Sequence, residues 1–384
     1  MLNFDFYNPT QIAFGAGKVA DLDKLVPKDA RLLILLGGSS ARKNGTLDEV
    51  IKALASRKVH EFEGIEPNPQ YDTLMKAVAL IKAEKIDYLL AVGGGSVIDA
   101  TKFIAAAVYQ EEEPWNILLK HGSNICKAMP FGTVLTLPAT GSEMNDGAVI
   151  SRGLDKLFFT HPEVFPQFSI LDPSKSFTLP PRQLANGVVD AFTHIMEQYL
   201  TYPVDAQVQD RFAEGLLATL IDVGPKVLAN PQDYNAQANL MWTATLALNG
   251  LIGSGVPGDW ATHMLGHEIT AAHGLDHAQT LAIILPNMLE IRRESKRAKL
   301  LQYAARVWNI NDGDDDARIS AAIKNTRAFF ENLGVKTSLS DYQISKSAID
   351  NLLTQLEAHG MVALGEHKDV NLALSKKVLE ASFN

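Results

Sequence analysis

IDYLLAVGGGSVIDATK, residues 86–102, decides the fold. Tyr88 to Val92 form an apolar run without polar alternation, the pattern of a strand buried on both faces. Gly93, Gly94 and Gly95 end it, and SVIDATKFIAAAVYQ continues with helical spacing, Ser96 standing where it would cap that helix. A strand that turns through glycine into a helix gathers free backbone amides at the positive end of the helix dipole, which suits a pyrophosphate. Asp99 and Lys102 fall in the first two turns. Three consecutive glycines weaken a fold unless something must come close to the backbone. We therefore read the stretch as a cofactor cradle.

The same unit recurs on either side. RLLILLGGSS (31–40) is a strand ending in glycines, and LDEVIKALASRK after it places Val50, Ile51, Leu54 and Ala55 on one helical face. DTLMKAVALIKAEK (72–85) reads as a helix, and TVLTLPATGSE (133–143) and FSILDP (168–173) as further strands. Buried strands alternating with helices predict a parallel sheet covered on both faces. From LPPRQLANGVVDAF (179–192) onward the strand signal disappears and helical spacing takes over. The Pro180–Pro181 pair marks the change. The expectation is an α/β dinucleotide-binding, Rossmann-like domain over 1–180 and an all-α domain over 181–384.

Composition narrows the function. At 384 residues the chain exceeds one compact core. Thirty-five basic against 44 acidic residues leave a net charge of −9, with no long block of like charge, so a nucleic-acid or anionic-membrane partner is disfavoured. MLNFDFYNPT has no basic start followed by an apolar run, and no window is long and apolar enough to span a bilayer. A cytoplasmic protein is expected. The single cysteine, Cys126, excludes an internal disulfide and a Cys₂His zinc site, so any metal must be held by His and carboxylate.

Other glycine turns carry different weight. FGAGKVADL offers Gly15, Gly17 and Ala20, but the next strand ends without the acid that a dinucleotide fingerprint requires, so it reads as a tight turn. That strand ends in Gly37, Gly38, Ser39 and Ser40, followed by Arg42 and Lys43. Hydroxyls and cations in place of an acid favour the 2′-phosphate of NADP over the 2′-hydroxyl of NAD. Thr140, Gly141 and Ser142 supply a hydroxyl-bearing loop after a third strand.

The helical half holds the metal candidates. Asp190 and His194 in DAFTH lie four residues apart, on one helical face. HMLGHEITAAHGLDHAQT (263–280) adds His263, His267, His273 and His277. On one straight helix His263 and His277 would stand ~21 Å apart, so a break is needed for both to meet one ion, and Gly274 is the candidate. GHEIT starts like a zincin motif, but Ala271 occupies the second histidine position. Asp190 and His194 with two or three of His263, His267 and His277 compose a His/carboxylate site for Fe(II) or Zn(II), with His273 structural.

GGGSVIDATK, TLPATGSE, the D-x-x-x-H of DAFTH and the histidines fourteen apart together resemble the iron-containing (group III) alcohol dehydrogenases, in particular the NADPH-dependent butanol dehydrogenase and aldehyde reductase branch. The resemblance implies a dehydroquinate synthase-like architecture with a site in the cleft between its domains. It also implies one divalent ion, iron or zinc, on Asp190, His194, His263 and His277, and His267 facing nicotinamide and substrate as the proton-relaying residue. Implied cofactor contacts are Gly37, Gly38, Ser40, Asn68, Gly94, Gly95, Ser96, Asp99, Thr136, Thr140, Ser142 and Lys156, with Ser39 added from its place in the turn. The activity implied is reversible hydride transfer between NADP(H) and an aldehyde/alcohol pair, in a homodimer. Met144, Asn145 and Asp146 depart from the Val-Thr common after TGSE. A glycerol dehydrogenase-like polyol oxidoreductase and a His/Asp metal hydrolase are the competing readings. The Ser39 reading is checked by Ser39→Asp: the ratio of kcat/KM for NADPH to that for NADH should fall, and an unchanged ratio removes the assignment.

Overall fold

The structure, a computed structural model, describes residues 1–383. The chain divides into two compact units. One comprises Tyr7–Leu179 with Pro231–Thr245; the other comprises Met1–Phe6, Pro180–Asn230 and the chain from Leu246 onward.

In the first unit the strands are β1 (Gln11–Phe14), β2 (Arg31–Leu36), β3 (Lys58–Phe62), β4 (Tyr88–Gly94), β5 (Phe131–Leu137), β6 (Gly147–Arg152), β7 (Asp155–Thr160) and β8 (Phe168–Leu171). Its helices are α1 (Leu22–Leu25), α2 (Ser40–Lys43), α3 (Thr46–Leu54), α4 (Tyr71–Glu84), α5 (Gly95–Ala107) and α6 (Asn116–Leu119). Six strands form one sheet in the order β1-β8-β5-β4-β2-β3, every pairing parallel. Strands β6 and β7 form a separate antiparallel hairpin.

The alternation of the strand divides the core between two faces. Leu33, Leu35, Leu89 and Ala91 pack with Leu74, Val78 and Ile81 of α4 and with Ile98 and Phe103 of α5. Leu32, Ile34, Leu36, Leu90 and Val92 pack with Leu47, Val50 and Leu54 of α3. Each fully buried leucine contributes on the order of 1.5–3 kcal/mol, and helices cover both faces of β2 and β4.

Three features depart from the sequence reading. The helix expected through Lys58 stops at Leu54, where Ala55 takes a left-handed φ of 48°, and β3 begins at Lys58. Second, β1 and β3 are short edge strands with mostly exposed or half-buried positions, so neither shows a continuous apolar run. Third, β4 runs directly into α5 with Gly94 as the N-cap, so Ser96 is the second residue of the helix and does not cap it. No loop residue separates strand from helix, which moves the helix start two residues earlier than a serine cap requires.

The second unit is helical, with α7 (Pro181–Tyr199), α8 (Gln207–Ala229), α10 (Ala261–His273), α11 (His277–Ile291), α12 (Arg297–Arg306), α13 (Asp315–Asn332), α14 (Ala348–Ala358) and α15 (Leu372–Ala381); α9 (Tyr234–Ala247) lies in the first unit through Thr245. Pro181 opens α7 at the first helical position, where its missing N–H costs nothing. From Gly187 to Tyr199 every residue of α7 is buried, so it is the central helix of its unit. Among the described residues no helix is long and apolar enough to cross a membrane.

Gly132 in β5 pairs with Phe168 in β8, and a Cβ there would lie 2.2 Å from the ring. Gly132→Ala should therefore cost about 1–3 kcal/mol through overpacking, read as a lower urea midpoint with an unchanged slope.

Candidate active site

The cofactor candidates line the carboxyl edge of the parallel sheet. The strand order reverses between β2 and β4, which is where open α/β sheets bind ligands. Gly37 and Gly38 follow β2, Ser39 precedes α2 and Ser40 begins it. Gly94 and Gly95 sit at the β4–α5 junction.

The glycines are required by packing. A Cβ on Gly93 would lie 2.6 Å from Val97, one on Gly94 3.0 Å from Leu137, and one on Gly95 2.5 Å from Thr140. Thr140 Oγ1 accepts the Ser142 amide at 3.2 Å. Thr136 lies near the end of β5.

Asp99 is a strut within this edge. Its carboxylate accepts the Ser142 hydroxyl at 2.6 Å and the Val149 amide at 3.0 Å. Burial pushes its carboxyl upward against the opposing charge of Lys102. Lys102 is itself buried, which pushes it down to about 8, and donates to Asn145 Oδ1 at 2.7 Å and the Gly147 carbonyl at 2.8 Å. Asn68 adopts a left-handed φ of 56°, and the adjacent Pro69 carbonyl accepts the Ser151 amide at 2.9 Å. Lys156 pairs with Ser151 across the β6–β7 hairpin, so Asn68 and Lys156 are drawn toward one another. Arg42, expected to add positive charge beside Ser39 and Ser40, is instead held by Glu61 at 2.6 Å and Glu63 at 3.3 Å.

The helical unit assembles the second group. Gly274 closes α10 in the left-handed region at φ 70°, and α11 starts three residues later at His277. That reversal brings His277 back beside His263. Asp276, at the N-cap of α11, shares a capping box with Gln279 and is held to α7 by Asn186 at 2.7 Å and Arg182 at 3.0 Å. His277 is thereby fixed against the helix that carries Asp190.

Three imidazoles converge on Asp190 Oδ1. His194 Nε2 lies 3.7 Å from it, His277 Nε2 3.7 Å and His263 Nε2 4.0 Å. Donor atoms of Asp190, His263 and His277 all lie within 4.8 Å of one another, and His194 joins through the shared Asp190 oxygen. The His194 and His263 rings stack at 4.6 Å. Ligands at ~2.1 Å from a tetrahedral ion stand ~3.4 Å apart, so donor type and spacing both fit one divalent cation. Burial pushes His194 down to about 4, leaving it neutral near pH 7 as a ligand must be.

His267, one turn beyond His263, is buried with its ring 5.1 Å from that of His277. His273 ends α10 exposed, and it is His277 that reaches Asp190. Glu197 was not anticipated. It accepts from the amides of Thr262 and His263 and faces His263 Nδ1. Its signal was in the spacing, since Asp190, His194 and Glu197 fall at i, i+4 and i+7 of one face.

Residues 9–173 match the family described as iron-containing alcohol dehydrogenase, and residues 184–373 match the C-terminal part of the same family. The chain belongs to the iron-containing alcohol dehydrogenase family. It is 60% identical over 386 residues to the NADPH-dependent aldehyde reductase YqhD of Escherichia coli, covering 100% of each chain. It is 40% identical over 390 residues to the probable NADH-dependent butanol dehydrogenase 1 of Bacillus subtilis, again over 100% of each. The crystal structure of E. coli YqhD superposes with a TM-score of 0.98 at 59% identity, covering 99% of each chain. NADH-dependent butanol dehydrogenase A from Thermotoga maritima gives 0.96 at 32% identity, over 100% of this chain and 99% of that one. As a member of this family the protein is an oxidoreductase of the alcohol dehydrogenase type, which removes the hydrolase alternative.

Asp276→Ala should remove the cap and the tie to α7 together, costing about 1–2 kcal/mol in chemical denaturation. A stability equal to that of the wild type would show that the start of α11 is held by other contacts.

Proposed function

We propose that this enzyme reduces aliphatic aldehydes with NADPH, and oxidises the corresponding primary alcohols with NADP⁺, using one divalent ion held by Asp190, His194, His263 and His277. The observation that carries the reading is the convergence of three imidazole nitrogens on one buried carboxylate oxygen. Iron or zinc suits this donor set. When bound, the ion supplies Lewis acidity to the substrate oxygen.

The remaining chemistry belongs to the chain's own residues. Asp190 offsets part of the cation's charge, and the three neutral imidazoles leave the site a net positive charge of about one. NADPH, when bound, would supply the hydride, and His267, buried beside His277, would hold the proton that the substrate oxygen gains. In the reverse direction it accepts the alcohol proton.

Gly94 and Gly95 keep the β4–α5 junction open to a pyrophosphate at the start of α5. Ser39 and Ser40 stand where an acid would repel the 2′-phosphate, and the 60% identical relative is named for NADPH. Gly37, Gly38, Asn68, Ser96, Asp99, Thr136, Thr140, Ser142 and Lys156 complete the proposed cofactor site. Several of them act through the struts described above. A cytoplasmic homodimer completes the reading, supported by the lone exposed Cys126 and by the exposed apolar side chains of Leu2, Phe4 and Phe6.

Purified protein with butanal should consume NADPH, followed at its near-ultraviolet absorbance, and carry one divalent ion per chain by elemental analysis. His263→Ala and His277→Ala should lose the ion and the turnover together. Full turnover in a metal-free variant would overturn the proposal.

A further inference from the structure

Helix α10 draws on α7 to satisfy two amides of its first turn. Its N-cap, Trp260, sits in the left-handed region at φ 61° and offers no side-chain acceptor to the first turn. Amides in that position need a partner when buried, and those of Thr262 and His263 find it on α7. Glu197, with its side chain 2% exposed, accepts the Thr262 amide at 2.6 Å through Oε1 and the His263 amide at 3.1 Å through Oε2. The same Oε2 takes a hydrogen bond from His263 Nδ1.

That last bond has a chemical consequence. A buried carboxylate against Nδ1 keeps the ring proton there, so His263 presents the lone pair of Nε2 toward Asp190. The ring cannot flip without losing that bond. His194 differs, since its Nδ1 is buried and has no hydrogen-bond partner among the described residues, leaving packing to orient that ring.

Glu197 is braced in turn. Its carbonyl accepts the Asp259 amide at 2.9 Å, and Asp259 accepts the Ala261 amide at 3.2 Å. Lys296, 1% exposed, lies 2.7 Å from Asp259 and 2.7 Å from Glu366.

We propose that Glu197 is a positioning residue of the metal centre, fixing the tautomer and ring orientation of His263 so that Nε2 faces the cation, while capping the helix that carries it. The inference rests on the reading that Asp190, His194, His263 and His277 hold the ion. Carboxylates placed behind metal-bound histidines raise ligand basicity, and their loss typically weakens metal binding by about 10- to 100-fold.

The test uses Glu197→Gln, which preserves shape but turns an amide NH₂ toward N–H donors. The apo-protein is first checked by far-ultraviolet circular dichroism. Zn²⁺ affinity is then measured by competition with a chromophoric chelator, and the visible spectrum of the Co²⁺-loaded protein is recorded. The expected result is about a 10- to 100-fold loss of Zn²⁺ affinity, with altered Co²⁺ absorption bands. A variant with a lower melting temperature but wild-type affinity and Co²⁺ spectrum would make Glu197 a helix cap only, and overturn the proposal. Should Glu197→Gln fail to fold, Glu197→Asp carries the test, because it keeps the charge and withdraws the carboxylate by one methylene. Tenfold weaker Zn²⁺ binding by that variant supports positioning, and unchanged binding overturns it. Wild-type protein that binds no stoichiometric Zn²⁺ refutes the ligand set itself, a separate outcome.

Discussion

Asp190 is a carboxylate 4% exposed in the centre of a helical unit, with three imidazole nitrogens facing one of its oxygens. Keeping a carboxylate ionised at such burial is costly. The divalent ion proposed at these four side chains would offset that cost. Much of the helical unit follows from keeping those four side chains in register. Helix α7, buried along most of its length, carries two of them, α10 and α11 are folded back on each other at Gly274, and Asp276 ties the second to α7.

The sheet unit obeys a different constraint, that of close approach. A Cβ added at Gly93, Gly94 or Gly95 would come to 3.0 Å or less from a neighbouring side chain, inside van der Waals contact, so strand, helix and the Thr140 loop pack together only with glycine there. Asp99 then spends both carboxylate oxygens on Ser142 and Val149. In this edge of the sheet, Asp99, Thr140 and Ser142, expected as ligand contacts, bond to one another and to Val149 as struts.

Much of the architecture was legible in the chain because its signals are local. The apolar runs at Leu32–Leu36 and Tyr88–Val92, and the switch to helical spacing after Pro180–Pro181, mark the parallel sheet and the helical unit without reference to anything distant. Strands β1 and β3 were not legible. Being edge strands, they carry exposed and half-buried residues whose pattern does not differ from loop. Arg42 shows the same limit at the cofactor edge, since its ion pairs with Glu61 and Glu63 arise from the pairing of β2 and β3.

By itself the sequence determined the kinds of donor available, namely histidine and carboxylate with a single cysteine, and the i, i+4 spacing that sets Asp190 and His194 on one face. It also marked Gly274 as the place where one histidine-rich stretch must break. Only the tertiary structure decided that His277 rather than His273 returns to Asp190, and that Glu197 stands behind His263. Spacing along a helix is a local property carried by the backbone, whereas the meeting of α7, α10 and α11 depends on how buried faces pack, which no short stretch of residues encodes.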